Sequence, residues 1–160
     1  MPFYHSKNFS MERSIGFLVN TLAIEINVDL EARLKAQLEV SLAQWRVLTT
    51  LRFNRFDTAS AVCDDLNYDS GAMTRMLDKL EALALVVRQP DAADRRAHRL
   101  TLTKKGALVC KKGLVLARHN LNLFMADLTD HEGEQLISLS QRVKQTGLQA
   151  KAVEKVKAVR

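Results

Sequence analysis

Residues 69–81 read Asp-Ser-Gly-Ala-Met-Thr-Arg-Met-Leu-Asp-Lys-Leu-Glu, and this stretch predicts a helix with two unlike faces. Met73, Leu77 and Leu80 recur at helical spacing, so they share one face and are expected to be buried. The opposite face carries small and polar residues with one arginine, namely Ser70, Gly71, Thr74 and Arg75. The front of this helix is therefore polar and positively charged.

After this helix the spacing of hydrophobic residues changes from the helical period to a period of two residues, which predicts a β-hairpin. His98, Leu100 and Leu102 lie on one side of its second strand, and a tip rich in Pro and Asp ends in Arg95-Arg96. A helix that presents hydroxyls and an arginine fits a major groove, and the paired arginines fit the backbone or minor groove beside it. These two elements together predict double-stranded DNA as the partner.

The bulk composition fits one globular domain that binds a polyanion. The chain has 160 residues, of which 47% are hydrophobic, and residues 1–160 are interpreted as a single domain. Its 24 basic and 18 acidic residues leave a net charge of +6. This balance favours nucleic acid, but many basic proteins bind none, so charge supports DNA binding without proving it.

Cysteine usage and hydropathy predict a cytoplasmic protein with no membrane segment. Cys63 and Cys110 are too few and too far apart for a disulfide framework or a zinc site. Residues 1–10 lack the apolar run of a signal peptide, and no later stretch approaches the length of a membrane span. We expect no metal and no cofactor. Four scattered histidines offer no catalytic arrangement, so the chain is predicted not to be an enzyme.

Upstream of residues 69–81 the sequence predicts three helices. Apolar residues every three or four positions indicate one long amphipathic helix over 11–38, whose stripe favours packing against a second subunit; a stripe packed wholly within the monomer is the alternative. Ser41 and Gln44 form a capping box, so a second helix starts there, with Trp45 in the core. A short helix over 58–66 completes a helix-turn-helix.

Downstream of the hairpin the sequence predicts two closing helices. Thr103 can cap a helix that runs to about Leu128, and a capping box at 129–132 begins the last one. The predicted fold class is all-α dominated with a small β-hairpin. A winged helix-turn-helix core over 41–103 is flanked by N- and C-terminal dimerisation helices over 11–38 and 107–150.

The sequence resembles the MarR family of winged-helix transcription regulators from about Ile15 to Leu148. The residues that carry the resemblance occur in a fixed order along the chain: Gln44-Trp45, Val47-Leu48, Thr74-Arg75, Asp78-Lys79-Leu80-Glu81, Asp94-Arg95-Arg96, Leu102-Thr103 and Gly106. The chain departs from the family at Ala84, where the family usually has glycine. If the left-handed backbone is kept there, alanine costs about 1 kcal/mol.

The resemblance implies a homodimer that binds a pseudo-palindromic operator and represses transcription. It also implies that Asp94 pairs with Arg95 or Arg96 and stiffens the tip, leaving a guanidinium for the minor groove. A small phenolic or amphipathic effector is expected between the first helix, the second helix and the start of the fifth. Its binding would change the spacing of the two recognition helices.

The predicted DNA-binding residues lie on the helix front and along the hairpin. Thr74, Ser70 and Arg75 are the base-reading set, and Gly71 and Ala72 allow close approach of the backbone. The weaker candidates for phosphate contacts are Lys79, Arg88 and Arg99. The alternative for Arg75 is a surface pair with Asp78. The predicted set is Ser70, Gly71, Ala72, Thr74, Arg75, Lys79, Arg88, Asp94, Arg95, Arg96 and Arg99, with Lys104 and Lys105 as weaker phosphate contacts.

Two other functions remain open at this point. A winged-helix adaptor would use the same shape for protein contact without binding DNA. A redox-sensing regulator would use Cys63 or Cys110, although a free cysteine at a semi-apolar helical position is more often a packed small side chain.

Overall fold

The computed structural model of the protein describes residues 3–5, 7–53, 56–90 and 98–158, with the backbone alone over 151–158. It confirms the predicted class of fold, six helices and one antiparallel hairpin within those residues. The elements in chain order are α1 (Ile15–Leu38), α2 (Leu42–Arg52), α3 (Ala59–Leu66), α4 (Ser70–Ala82), β1 (Val86–Pro90), β2 (His98–Leu102), α5 (Lys104–Phe124) and α6 (Asp130–Ala158). Among the described residues, no helix combines the length and the apolar character needed to cross a membrane.

The contacts within the chain group into two compact units. One unit, Met1–Leu121, contains α1 to α4, the hairpin and most of α5, and the other, Asn122–Arg160, contains the end of α5 and α6. The single domain over 1–160 stays a prediction.

Helix α1 differs from the predicted amphipathic helix over 11–38 in its start and in its faces. It begins at Ile15, whose backbone N–H donates to the Tyr4 hydroxyl at 2.8 Å. Only Leu30 and Leu34, near its end, are buried. From Ile15 to Val28, apolar side chains lie exposed on opposite sides of the helix, so the predicted single stripe is wrong there. One side carries Ile15, Leu18 and Leu22, and the other carries Phe17, Ile24 and Val28.

Helix α2 forms the centre of the core, as predicted. The capping box is complete, because Ser41 Oγ accepts from Gln44 N at 3.1 Å and Gln44 Oε1 accepts from Ser41 N at 2.8 Å. The buried Trp45 ring donates from Nε1 to the Cys110 carbonyl at 3.3 Å. Gly113 lets α5 cross this close, since a Cβ there would overlap the indole. Helix α5 therefore rests directly on α2.

The hairpin is attached to the helix-turn-helix along its second strand. Strands β1 and β2 pair from Val86 opposite Leu102 to Pro90 opposite His98, with Val86 and Leu100 buried. Leu100 N also donates to the Asp57 carbonyl at 2.7 Å, just before α3. The tip residues Asp94, Arg95 and Arg96 lie in 91–97, outside the described residues, so their predicted roles stay predictions.

The chain turns out of helix α4 through a left-handed residue at Ala84, the position where the MarR family usually has glycine. The helix ends at Ala82, and Ala84 has a φ of 54°. Leu85 N donates to the Leu80 carbonyl at 2.9 Å and Ala84 N to the Glu81 carbonyl at 2.8 Å, which together form a Schellman motif. An alanine thus occupies the position where glycine is strain-free.

We expect Ala84→Gly to raise the free energy of unfolding by about 0.5–1 kcal/mol, because glycine adopts this conformation without the clash of a Cβ. Urea denaturation followed by Trp45 fluorescence measures the change. Ala82→Gly, two residues earlier and within the helix, is the matched control and should lower stability by a similar amount. Loss of stability in both variants would contradict the assignment of strain to Ala84.

Candidate nucleic-acid interface

The N-terminal turns of α4 present a polar face to solvent. Asp69 caps the helix, its Oδ1 accepting from Ala72 N at 2.9 Å. Met73, Leu77 and Leu80 are at most 1% exposed, which confirms the predicted buried face. On the other side Ser70, Thr74 and Arg75 are exposed, whereas Gly71 and Ala72 are half-buried. The Thr74 hydroxyl donates to the Ser70 carbonyl at 2.9 Å, so it offers its lone pairs and its methyl group outward.

Arg75 is available for an external partner. No ion pair involves it among the residues that the structure describes, and Asp78 instead pairs with Arg88 at 2.7 Å. The alternative pairing of Arg75 with Asp78 is therefore wrong. Lys79 follows one turn later on the same side and is exposed. Both side chains line a groove of about 310 Å³, together with Ser41 and Gln44 at the start of α2.

Arg88 connects the hairpin to α4. Its guanidinium lies 2.7 Å from Asp78 and 2.7 Å from Glu81, and its backbone N–H donates to Glu81 at 3.1 Å. These carboxylates compensate its charge within the protein, and its side chain is 29% exposed. This link was not predicted from the sequence, and the phosphate contact of Arg88 stays a prediction.

Arg99 makes a second link, from β2 to the segment before α3. It forms an ion pair with Asp57, and its backbone bridges to Thr58. The hairpin is thus held to both helices of the helix-turn-helix, to α4 through Arg88 and to α3 through Arg99. The partners lie 10 and 42 residues apart in sequence, so no periodic signal could have indicated either pair.

The two cysteines lie in protected places. Cys63 is 8% exposed, and its thiol donates to the Tyr68 carbonyl at 2.9 Å. Cys110 is fully buried beneath α2, and burial raises the pKa of its thiol against a smaller opposite effect of the Arg52 charge. Burial therefore disfavours the thiolate of Cys110, which is the form that reacts with oxidants.

A helix-turn-helix of α3 and α4, followed by an antiparallel hairpin anchored to both, defines this chain as a winged helix-turn-helix protein. The family model described as "MarR family" matches residues 38–97. The match covers part of the chain and agrees with the resemblance found in the sequence, so the chain is similar to proteins of the MarR family. Proteins of this family are transcriptional regulators rather than enzymes.

Named relatives agree with this assignment. The multiple antibiotic resistance protein MarR of Escherichia coli is 36% identical over 75 residues, 47% of this chain, so the match spans about half (52%) of that relative's length. The organic hydroperoxide resistance transcriptional regulator of Bacillus subtilis is 28% identical over 67% of this chain and 72% of that protein. A mutant MarR of E. coli, solved in complex with operator DNA, superposes with a TM-score of 0.72 at 29% identity, over 86% of this chain and 99% of that one.

Proposed function

We propose that this protein is a sequence-specific, DNA-binding transcriptional regulator. The observation that carries the proposal is the exposed Arg75 beside Thr74, which forms no ion pair with any residue that the structure describes. Both lie on the front of a helix whose opposite face is buried in the core. An arginine can bind guanine in a bidentate way, and a threonine oxygen can accept from a base amino group. The operator complex of the E. coli relative supports this use of the fold.

We further propose that two copies bind a pseudo-palindromic operator as a homodimer. The exposed apolar side chains of α1 support a partner, because one helix with apolar residues on opposite sides needs cover beyond its own unit. In the other unit, α6 also exposes a large apolar set: Leu136, Ile137, Leu139, Val143 and Leu148. Two recognition helices then reach major grooves about 34–36 Å apart.

Repression and control by a small phenolic or amphipathic effector are the finer parts of the proposal. The family supports both, and the expected site lies between α1, α2 and the start of α5. A mobility-shift titration with candidate phenols would identify such a ligand. No observation favours the redox alternative, since both thiols are buried.

A mobility-shift assay with the DNA upstream of the coding region tests the proposal. If about six phosphate contacts form per dimer, the logarithm of affinity should fall with the logarithm of salt concentration at a slope near −5. Replacing both Arg95 and Arg96 by alanine should reduce this binding by at least about tenfold, because two cations per copy are lost near the duplex.

The same double variant distinguishes a DNA-binding regulator from a winged-helix adaptor that binds only protein. An adaptor predicts a nearly flat salt dependence and no effect of Arg95→Ala/Arg96→Ala on DNA. Replacing Arg142 and Lys144 on α6 removes equal charge outside the helix-turn-helix unit and serves as the control. Equal losses in the two double variants would show that net charge, and not the hairpin tip, determines binding.

A further inference from the structure

The exit of α4 leaves three successive backbone carbonyls that the helix itself does not satisfy. The Schellman motif uses the carbonyls of Leu80 and Glu81, and the three carbonyls lie just beyond the end of the helix, at Leu83, Ala84 and Leu85. All three accept hydrogen bonds from the first turn of α5 or its cap, over 18 to 22 residues of sequence.

Thr103 supplies two of these bonds and also begins α5. Its hydroxyl donates to the Ala84 carbonyl at 2.7 Å, and its backbone N–H donates to the Leu85 carbonyl at 3.1 Å. The same hydroxyl oxygen accepts from Gly106 N at 2.9 Å, so it is the N-cap of α5. One side chain therefore joins the end of α4 to the start of α5.

Lys105 supplies the third bond. Its ammonium donates to the Leu83 carbonyl at 2.9 Å, although the side chain lies at the surface. The C-terminal end of a helix carries partial negative charge, so a cation there is favourable in addition to the hydrogen bond. Lys104, its neighbour, is also exposed but forms no hydrogen bond or ion pair among the described residues.

We propose that Thr103 and Lys105 are positioning residues that fix the direction of α4 relative to α5 and so set the pose of the DNA-reading face. The inference rests on the proposed function for its consequence, but the connection itself exists without DNA. Lys105, predicted from the sequence as a phosphate contact, acts through the Leu83 carbonyl instead. A dimer contains two copies of α4, so a change in the angle between α4 and α5 alters the fit of the protein to both half-sites of the operator.

The two roles of Lys105 predict different effects of Lys105→Met. Loss of a phosphate contact would weaken binding to all DNA alike and make the salt slope shallower by about one per copy. Loss of a positioning bond should reduce affinity for the operator about tenfold, while affinity for unrelated DNA and the salt slope stay close to those of Lys104→Met. Lys104→Met removes the same charge one residue away and is the matched control.

Amide hydrogen exchange, measured by NMR without DNA, provides the second readout. In Lys105→Met the amides of Leu83, Ala84 and Leu85 should exchange at least about threefold faster than in the wild-type protein, and in Lys104→Met they should not. Thr103→Val should show a larger change, and Thr103→Ser, which keeps the hydroxyl, should restore the wild-type rates.

The two readouts separate this inference from the proposed function. If the wild-type protein binds no DNA, the proposed function fails. Hydrogen exchange still decides whether Thr103 and Lys105 stabilise the backbone that follows α4. If Lys105→Met and Lys104→Met behave alike in hydrogen exchange, the positioning role is overturned. A salt slope that becomes shallower only in Lys105→Met would identify a phosphate contact instead.

Discussion

Alanine in place of Gly106 is expected to lower the free energy of unfolding by about 1–2 kcal/mol. A Cβ at this position would lie 2.9 Å from the carbonyl carbon of Leu85 and closer still to its oxygen. Both atoms belong to the backbone, so no rotation of a side chain relieves the overlap, and α5 must move away from the exit of α4. Overpacking of this kind costs about 1–3 kcal/mol or more, which exceeds the gain of about 1 kcal/mol in helix propensity.

Urea denaturation followed by the fluorescence of Trp45 measures this loss, because the single tryptophan lies in the same unit as Gly106. Gly16→Ala is the control: it makes the same substitution in a helix of that unit, where the nearest atom, Ser14 Oγ, would be 3.6 Å away. We expect that control to be neutral or slightly stabilising. Equal stability of the two variants would mean that α5 does not approach Leu85 this closely.

The features predicted correctly from the sequence are those with a local signal. Met73, Leu77 and Leu80 are a helical repeat, and Ser41 with Gln44 is a motif complete within four residues, so both follow from short-range geometry. The left-handed exit at Ala84 required the family pattern, because alanine itself gives no signal of such a turn.

The parts that the sequence did not reveal are pairings between distant residues. Arg88 with Asp78 and Glu81, and Lys105 with the Leu83 carbonyl, depend on how α4, β1 and α5 are arranged in space. Composition shows only that basic residues are abundant, and it does not separate those that pair internally from those left for a partner. In the structure, Arg88 and Arg99 form ion pairs within the protein, whereas Arg75 forms none among the described residues.

The largest functional effect is expected for Arg75→Ala. A bidentate arginine–guanine contact contributes about 1–3 kcal/mol of discrimination, and two copies in a dimer double this value. Specific affinity for the operator should therefore fall about 30-fold to 10⁴-fold, while affinity for unrelated DNA falls far less. Because Arg75 is exposed and pairs with no described residue, the fold should be unaffected, which thermal unfolding would verify.

Lys79→Ala is the matched control for Arg75→Ala, because it distinguishes loss of a base contact from loss of a positive charge. Lys79 lies one turn after Arg75 on the same exposed side of α4, so both variants remove one cation from the same groove. A lysine acts on phosphates as a point charge, and its loss should weaken binding to operator and unrelated DNA by the same factor, with a shallower salt slope. The ratio of specific to non-specific affinity should thus fall in Arg75→Ala and stay constant in Lys79→Ala. If the ratio falls equally in both, α4 contributes charge but does not read bases, and sequence recognition would have to reside in the hairpin.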